Sequence, residues 1–156
     1  MKYAHRESQR HFKEIGQALG FETRYTWSQE LPTDGVWVSR WPNPVAPLLP
    51  IVALEVAVSE SPKSLRGSVA TLAAVSPAVG LLVIHDIEKR RCAIRQGRST
   101  DEAEDRFQRD LQIASTAAEH TSQRIVIWSA SQLARRHELA TGQHLQPDGE
   151  HQHLAA

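Results

Sequence analysis

IVALEVAVSE, residues 51–60, is the stretch on which the reading of this chain turns. Side chains alternate across a strand, so Val52, Leu54, Val56 and Val58 share one face while Ile51, Ala53, Glu55, Ala57 and Ser59 share the other. The first set is wholly apolar and belongs to a core. The second carries a carboxylate among small residues. An unpaired charge in an apolar strand is expensive, so Glu55 needs water, a counter-charge or a cation. A face lined by Ala, Glu, Ala and Ser is expected to leave room for water, a metal ion or a substrate. The ordinary alternative is a partly solvated Glu55, or one paired with an Arg from a covering helix.

Outward from this strand the period changes. SPKSLRGSVATLAAVS (61–76) opens with Ser61 as a cap and Pro62 at the first helical position, and it keeps Leu65, Val69, Leu72 and Ala73 on one stripe. GLLVIHD (80–86) is nearly continuous in apolar residues, as in a strand covered on both faces. KRRCAIRQG (89–97) reads as a short edge strand or hairpin arm. DEAEDRFQRDLQIASTAAEH (101–120) reads as a long helix with acids in its first turn. RIVIWS (124–129) reads as a buried strand, followed by a closing helix over 130–140. Upstream, residues 4–19 read as a helix with Phe12, Ile15 and Leu19 at helical spacing on one side and Gly20 as the stop. FETRYTWS (21–28) and DGVWVSRW (34–41) read as strands, and the four prolines of 42–50 demand an irregular connection.

The resulting order, α-β-β-β-α-β-(β)-α-β-α, is that of an α/β protein with one mixed sheet and helices on both faces. Its 156 residues suit one domain over 1–141, and TGQHLQPDGEHQHLAA reads as a disordered tail over 142–156. The tail's His144, His151 and His153 could bind a metal adventitiously. Eighteen basic residues balance eighteen acidic ones, which argues against coating of nucleic acid by bulk charge. The single Cys92 excludes an internal disulfide and any cysteine-cluster zinc site. No signal segment or membrane span is read from the sequence, so a cytoplasmic protein is expected.

A second acid changes the weight of Glu55. Asp34 begins the preceding strand, and two carboxylates from adjacent strands suit an oxygen-liganded ion such as Mg²⁺. Taken alone, Asp34 is an ordinary turn or strand-end residue.

A helix ending at Gly20-Phe21, a strand, Asp34 in DGVW, Glu55 in LEVAVS, then a helix and the strand GLLVIHD together resemble the PD-(D/E)xK nuclease superfamily. RIVIWSASQLARR extends the likeness, which spans roughly residues 5–138. The resemblance implies a restriction endonuclease-like core and a DNA endonuclease, a hydrolase dependent on Mg²⁺ or Mn²⁺. Asp34 matches the family's metal-binding Asp, and Glu55 the acid of the (D/E)xK strand. The motif Lys position holds Ala57, which cannot orient water or offset charge. Lys63, near the start of the next helix, is the candidate substitute; otherwise it is a solvated lysine. Glu7 matches the helix-one acid found in many members, with Glu14 as its rival, and either could be a surface acid.

Lys89, Arg90, Arg91, Arg95 and Arg98, with Arg135 and Arg136, are candidates for tracking a DNA backbone. No aromatic stacking platform is read from the sequence: Trp27, Trp37 and Trp128 fall in strands, and Trp41 flanks the proline-rich loop. Partners expected are DNA and either a second copy or another subunit, with Val45, Leu48 and Leu49 as a contact surface. Two rival readings stand: a nuclease fold whose catalysis has lapsed, kept for DNA or protein binding, which Ala57 favours; and a generic α/β domain binding a small molecule.

Overall fold

The computed structural model describes residues 2–40 and 48–142. Within them the chain runs α1 (Lys2–Ala18), β1 (Glu22–Arg24), β2 (Gly35–Arg40), β3 (Leu48–Ala57), α2 (Pro62–Val75), β4 (Val79–Ile84), α3 (Asp86–Arg95), α4 (Thr100–Glu119), β5 (Ile125–Ser129) and α5 (Ala130–Thr141). The five strands form one mixed sheet in the order β1-β2-β3-β4-β5. β1, β2 and β3 are an antiparallel meander, whereas β3, β4 and β5 are parallel. The α/β expectation holds.

The alternation in IVALEVAVSE becomes two cores. Leu54, Val56 and Val58 enter one cluster with Phe12, Leu81 and Leu133 beneath α1 and α5. Ala53 and Ala57 enter the other with Leu65, Val69, Leu72 and Leu82 beneath α2 and α4. The second face is therefore packed, and Ala53 and Ala57 are fully buried. Their small size admits the α2 stripe close to the sheet; it does not leave an open channel.

Three other expectations are corrected. Leu48–Pro50 belong to β3, not to the proline-rich connection, whose remaining residues 41–47 lie outside the described residues. The ladder accepts Pro50 through a register shift between Trp37 and Val38, which pair with Val52 and Pro50; a bulge relieves the need for the missing N–H. The strand expected over 21–28 shrinks to Glu22–Arg24. Residues 89–97, expected as a strand, lie mostly in helix α3. The α3 start is made by the His85 ring, whose Nδ1 accepts from the Glu88 N–H at 3.2 Å. Asp86 and Glu88 sit in its first turn, where the dipole favours acids. Glu88 then ties Arg95 at 2.8 Å and Arg91 at 3.9 Å along the helix.

α1 approaches the sheet closely at two glycines. A Cβ on Gly16 would lie 2.5 Å from Nε1 of Trp37, and one on Gly35 would lie 2.9 Å from Phe12. With that space, Trp37 stacks on Phe12 and donates its indole N–H to the Phe12 carbonyl at 3.0 Å. Across the same layer, buried His137 of α5 meets Glu14 of α1 at 2.5 Å and stacks on His11. The capping box of α5, with Ser129 and Gln132 reciprocally bonded, fixes where that helix starts.

Candidate functional site

Each parallel strand is followed by a helix, so α2, α3 and α5 begin at the same end of the sheet. β2 starts there too, because it runs against β3. Helix N-termini carry partial positive charge, and this end collects the acids Asp34, Glu55, Glu60, Asp86 and Glu88. Asp86 is consumed structurally: its carboxylate accepts from the Ser131 N–H at 3.2 Å and the Ser131 hydroxyl at 2.5 Å, joining the starts of α3 and α5.

Asp34 precedes β2 and fastens it to β3. Its N–H donates to the Leu54 carbonyl at 2.9 Å, and its Oδ2 accepts from the Val56 N–H at 2.8 Å. From α1, His5 Nε2 lies 3.1 Å from the same Oδ2. Gln9 Nε2 donates to the Asp34 carbonyl at 3.0 Å and reaches Oδ1 at 3.5 Å. Three neighbours thus hold the carboxylate in one orientation.

Glu55 sits nearby on β3 with its side chain toward α2, where it is hydrogen-bonded to Ser68. Its carboxyl is pushed up to about 8, first by burial and then by the charge of Asp34, with Glu60 adding to the rise. Only the Ser68 bond works the other way. The two acids feel each other across the end of the sheet, although their side-chain partners come from opposite layers, α1 for Asp34 and α2 for Glu55. No basic side chain is among the groups acting on Glu55. A carboxyl so perturbed holds its proton at neutral pH unless a cation displaces it.

The remaining expected residues fall elsewhere. Lys63 is exposed in the first turn of α2 and is not among the groups that shift Glu55. Glu7 is half-buried on α1 and acts on His11 and His85; it does not figure among the groups acting on Glu55. Glu14 is engaged by His137 and Arg10. Among the described residues no group of three or more His, Cys, Asp or Glu is placed to hold a metal ion. Three residues at the site escaped the sequence reading: His5, Gln9 and Ser68. His5, Gln9 and Phe12 follow helical spacing, so the inward face marked by Phe12 could have pointed to the first two.

Four of the seven basic residues expected to track phosphates lie against carboxylates of the chain itself. Lys89 binds Asp110, Arg90 lies 3.3 Å from Glu104, and Arg91 and Arg95 share Glu88. Arg136 lies over the Trp128 ring, 4.3 Å from its centroid. Trp37 is buried, as expected of a core residue, whereas Trp27 and Trp128 are half-buried against the two clusters; Trp41 lies outside the described residues. Of the suggested dimer contacts, Leu49 is exposed, Leu48 is half-buried, and Val45 lies outside the described residues. The tail histidines also lie outside them. No helix among the described residues is long and apolar enough to cross a membrane.

No protein-family model, no curated protein and no solved structure matches the chain.

Proposed function

We propose that this protein is a metal-dependent nuclease that hydrolyses DNA phosphodiester bonds with a divalent ion held by Asp34 and Glu55. The observation that carries the reading is that β2–β3 pairing brings Asp34 and Glu55 to the same end of the sheet, where burial first and then the Asp34 charge raise the Glu55 carboxyl to about 8. A buried carboxyl beside a second carboxylate, with no basic side chain among the groups acting on it, suits a hard cation that takes oxygen ligands. The donor set is therefore compatible with Mg²⁺ or Mn²⁺. The order of helix, strand, Asp34 strand, Glu55 strand, helix and strand also agrees with the restriction endonuclease-like core implied by the resemblance.

Such an ion, when bound, would polarise the phosphoryl oxygen and lower the pKa of a bound water. The chain's own residues have separate tasks. Val56, His5 and Gln9 hold the Asp34 carboxylate in a fixed direction. Ser68 orients Glu55. Lys63 is the remaining candidate for the positive group missing at Ala57, which would require its side chain to fold back from the solvent. A second copy or another subunit would complete the grip on DNA.

A second reading is favoured by specific observations. Ala57 is buried under α2, and the acids draw their hydrogen-bond partners from opposite layers. Both suit a lapsed nuclease fold that binds DNA without cutting it. The two readings part in one experiment: supercoiled plasmid incubated with Mg²⁺ or Mn²⁺ and wild-type, Asp34→Asn or Glu55→Gln protein. Metal-dependent nicking lost in both variants supports catalysis. Binding without nicking, insensitive to either change, supports the lapsed module.

A further inference from the structure

With the α3 cations paired internally, the basic residues that remain available to an anion lie mainly elsewhere. On α1, Arg6, Arg10, Lys13 and Gln17 follow one another at intervals of four, three and four residues, so they form one stripe. It faces away from the stripe of Ser8, Phe12 and Ile15, which is buried. Together with Gln9, Glu14 and Tyr25 the stripe lines a groove of about 470 Å³. Glu14 is the one acid in that lining, and it is held by His137 at 2.5 Å and by Arg10 at 3.3 Å. Arg6 and Lys13 have no carboxylate partner among the described residues. The groove is thus cationic, three charges against one.

The groove also has an aromatic wall. Tyr25 is 67% exposed, and Lys13 Nζ lies 5.1 Å from its ring centroid and 3.4 Å from its hydroxyl. Tyr3, 74% exposed, lies near the start of the same helix. Cations that track a backbone beside an aromatic face are what an unpaired strand requires, because each base offers a ring to stack. Arg6 and Lys13 are about 10 Å apart along the helix axis, enough to span more than one phosphate. Gln9, which lines the groove, also donates to Asp34. Gln9 thus joins the groove to the Asp34 end of the sheet.

We propose that the outer groove of α1 binds a single-stranded nucleic-acid segment, with Arg6 and Lys13 on its phosphates and Tyr25 stacked on a base. The proposal rests on the nucleic-acid substrate of the reading above but not on hydrolysis. It is tested by fluorescence anisotropy of a labelled oligothymidine in EDTA across a salt series. The proteins compared are wild type, the Arg6→Ala/Lys13→Ala double variant, Tyr25→Ala and Tyr25→Phe. Loss of two phosphate contacts should flatten the log–log salt slope by about 1.4. Tyr25→Ala should weaken binding by roughly tenfold at unchanged slope, and Tyr25→Phe should restore it. Duplex DNA of the same length and free dTMP as competitor should both bind more weakly.

No oligonucleotide binding by wild type, binding indifferent to these substitutions, or preference for duplex or dTMP would each overturn the proposal. Failure of this inference and failure of the catalytic reading are distinguishable. Groove-dependent binding without plasmid nicking leaves the groove standing and removes the catalysis. Nicking together with unaltered binding in the α1 variants does the reverse.

Discussion

Replacing Glu55 by Gln should change how the protein's stability depends on pH, in a direction fixed by the site. In the folded protein the carboxyl is raised from 4.5 to about 8 by burial and by Asp34. The unfolded chain ionises near the ordinary value, so it releases this proton at lower pH than the folded chain does. The neutral carboxyl's contribution to stability is complete below about pH 4.5 and is lost as pH rises through about 8. At 1.36 kcal/mol per tenfold change, the whole loss is on the order of 5 kcal/mol, less whatever local water relaxation returns. Glutamine has nearly the shape of the protonated acid and never ionises. The variant should therefore match wild type near pH 5 and exceed it near pH 9, by a melting-temperature difference on the order of 10 °C. Thermal unfolding followed by circular dichroism in EDTA, from pH 5 to 9.5, measures this. Added Mn²⁺ should then restore alkaline stability to wild type and leave Glu55→Gln unmoved. If the variant keeps the wild-type pH profile, Glu55 is not the strained acid, and the argument for a cation there falls with it.

Two further substitutions probe the scaffold that holds the acids. Gly16→Ala brings a Cβ to 2.5 Å from Nε1 of Trp37 and should cost about 1–3 kcal/mol in urea unfolding, because the indole must leave the Phe12 carbonyl; an unchanged midpoint would mean that α1 does not press on β2 as described. Asp86→Ala removes both acceptors of Ser131 and should destabilise by about 1–2 kcal/mol, with hydrogen exchange rising first at the start of α5; uniform exchange along α5 would contradict that assignment.

The elements that could be read from the sequence were those whose apolar pattern is their main source of stability. β3, β4 and β5 are runs of β-branched and aliphatic residues, and α2 announces itself through Ser61, Pro62 and its buried stripe. α3 was missed because it has no such stripe. It is built by His85 as a cap and by Glu88 with its two arginines, and the expected boundary at residue 89 severed those residues from the segment they organise. A related limit applies to charge. Lys89, Arg90, Arg91 and Arg95 look like a phosphate-binding cluster only while Asp110, Glu104 and Glu88 are ignored, and those pairings depend on how α3 and α4 pack. Asp34 and Glu55 were legible because antiparallel pairing brings the start of one strand to the end of the next. That His5, Gln9 and Ser68 meet these acids was not, since the helical spacing marks His5 and Gln9 as inward but which helix face meets which strand end is decided by tertiary packing. The open face expected around Ala53 and Ala57 illustrates the same point: small residues in a strand make room, and here α2 fills it.

The shared cation is tested most directly by titrating Mn²⁺ into wild-type protein and into the Asp34→Asn and Glu55→Gln variants, with free Mn²⁺ read by electron paramagnetic resonance at pH 7.5. Saturable Mn²⁺ binding in wild type, lost or strongly weakened in both variants, is the expected result. Equal affinity in all three proteins, or none in wild type, would contradict it.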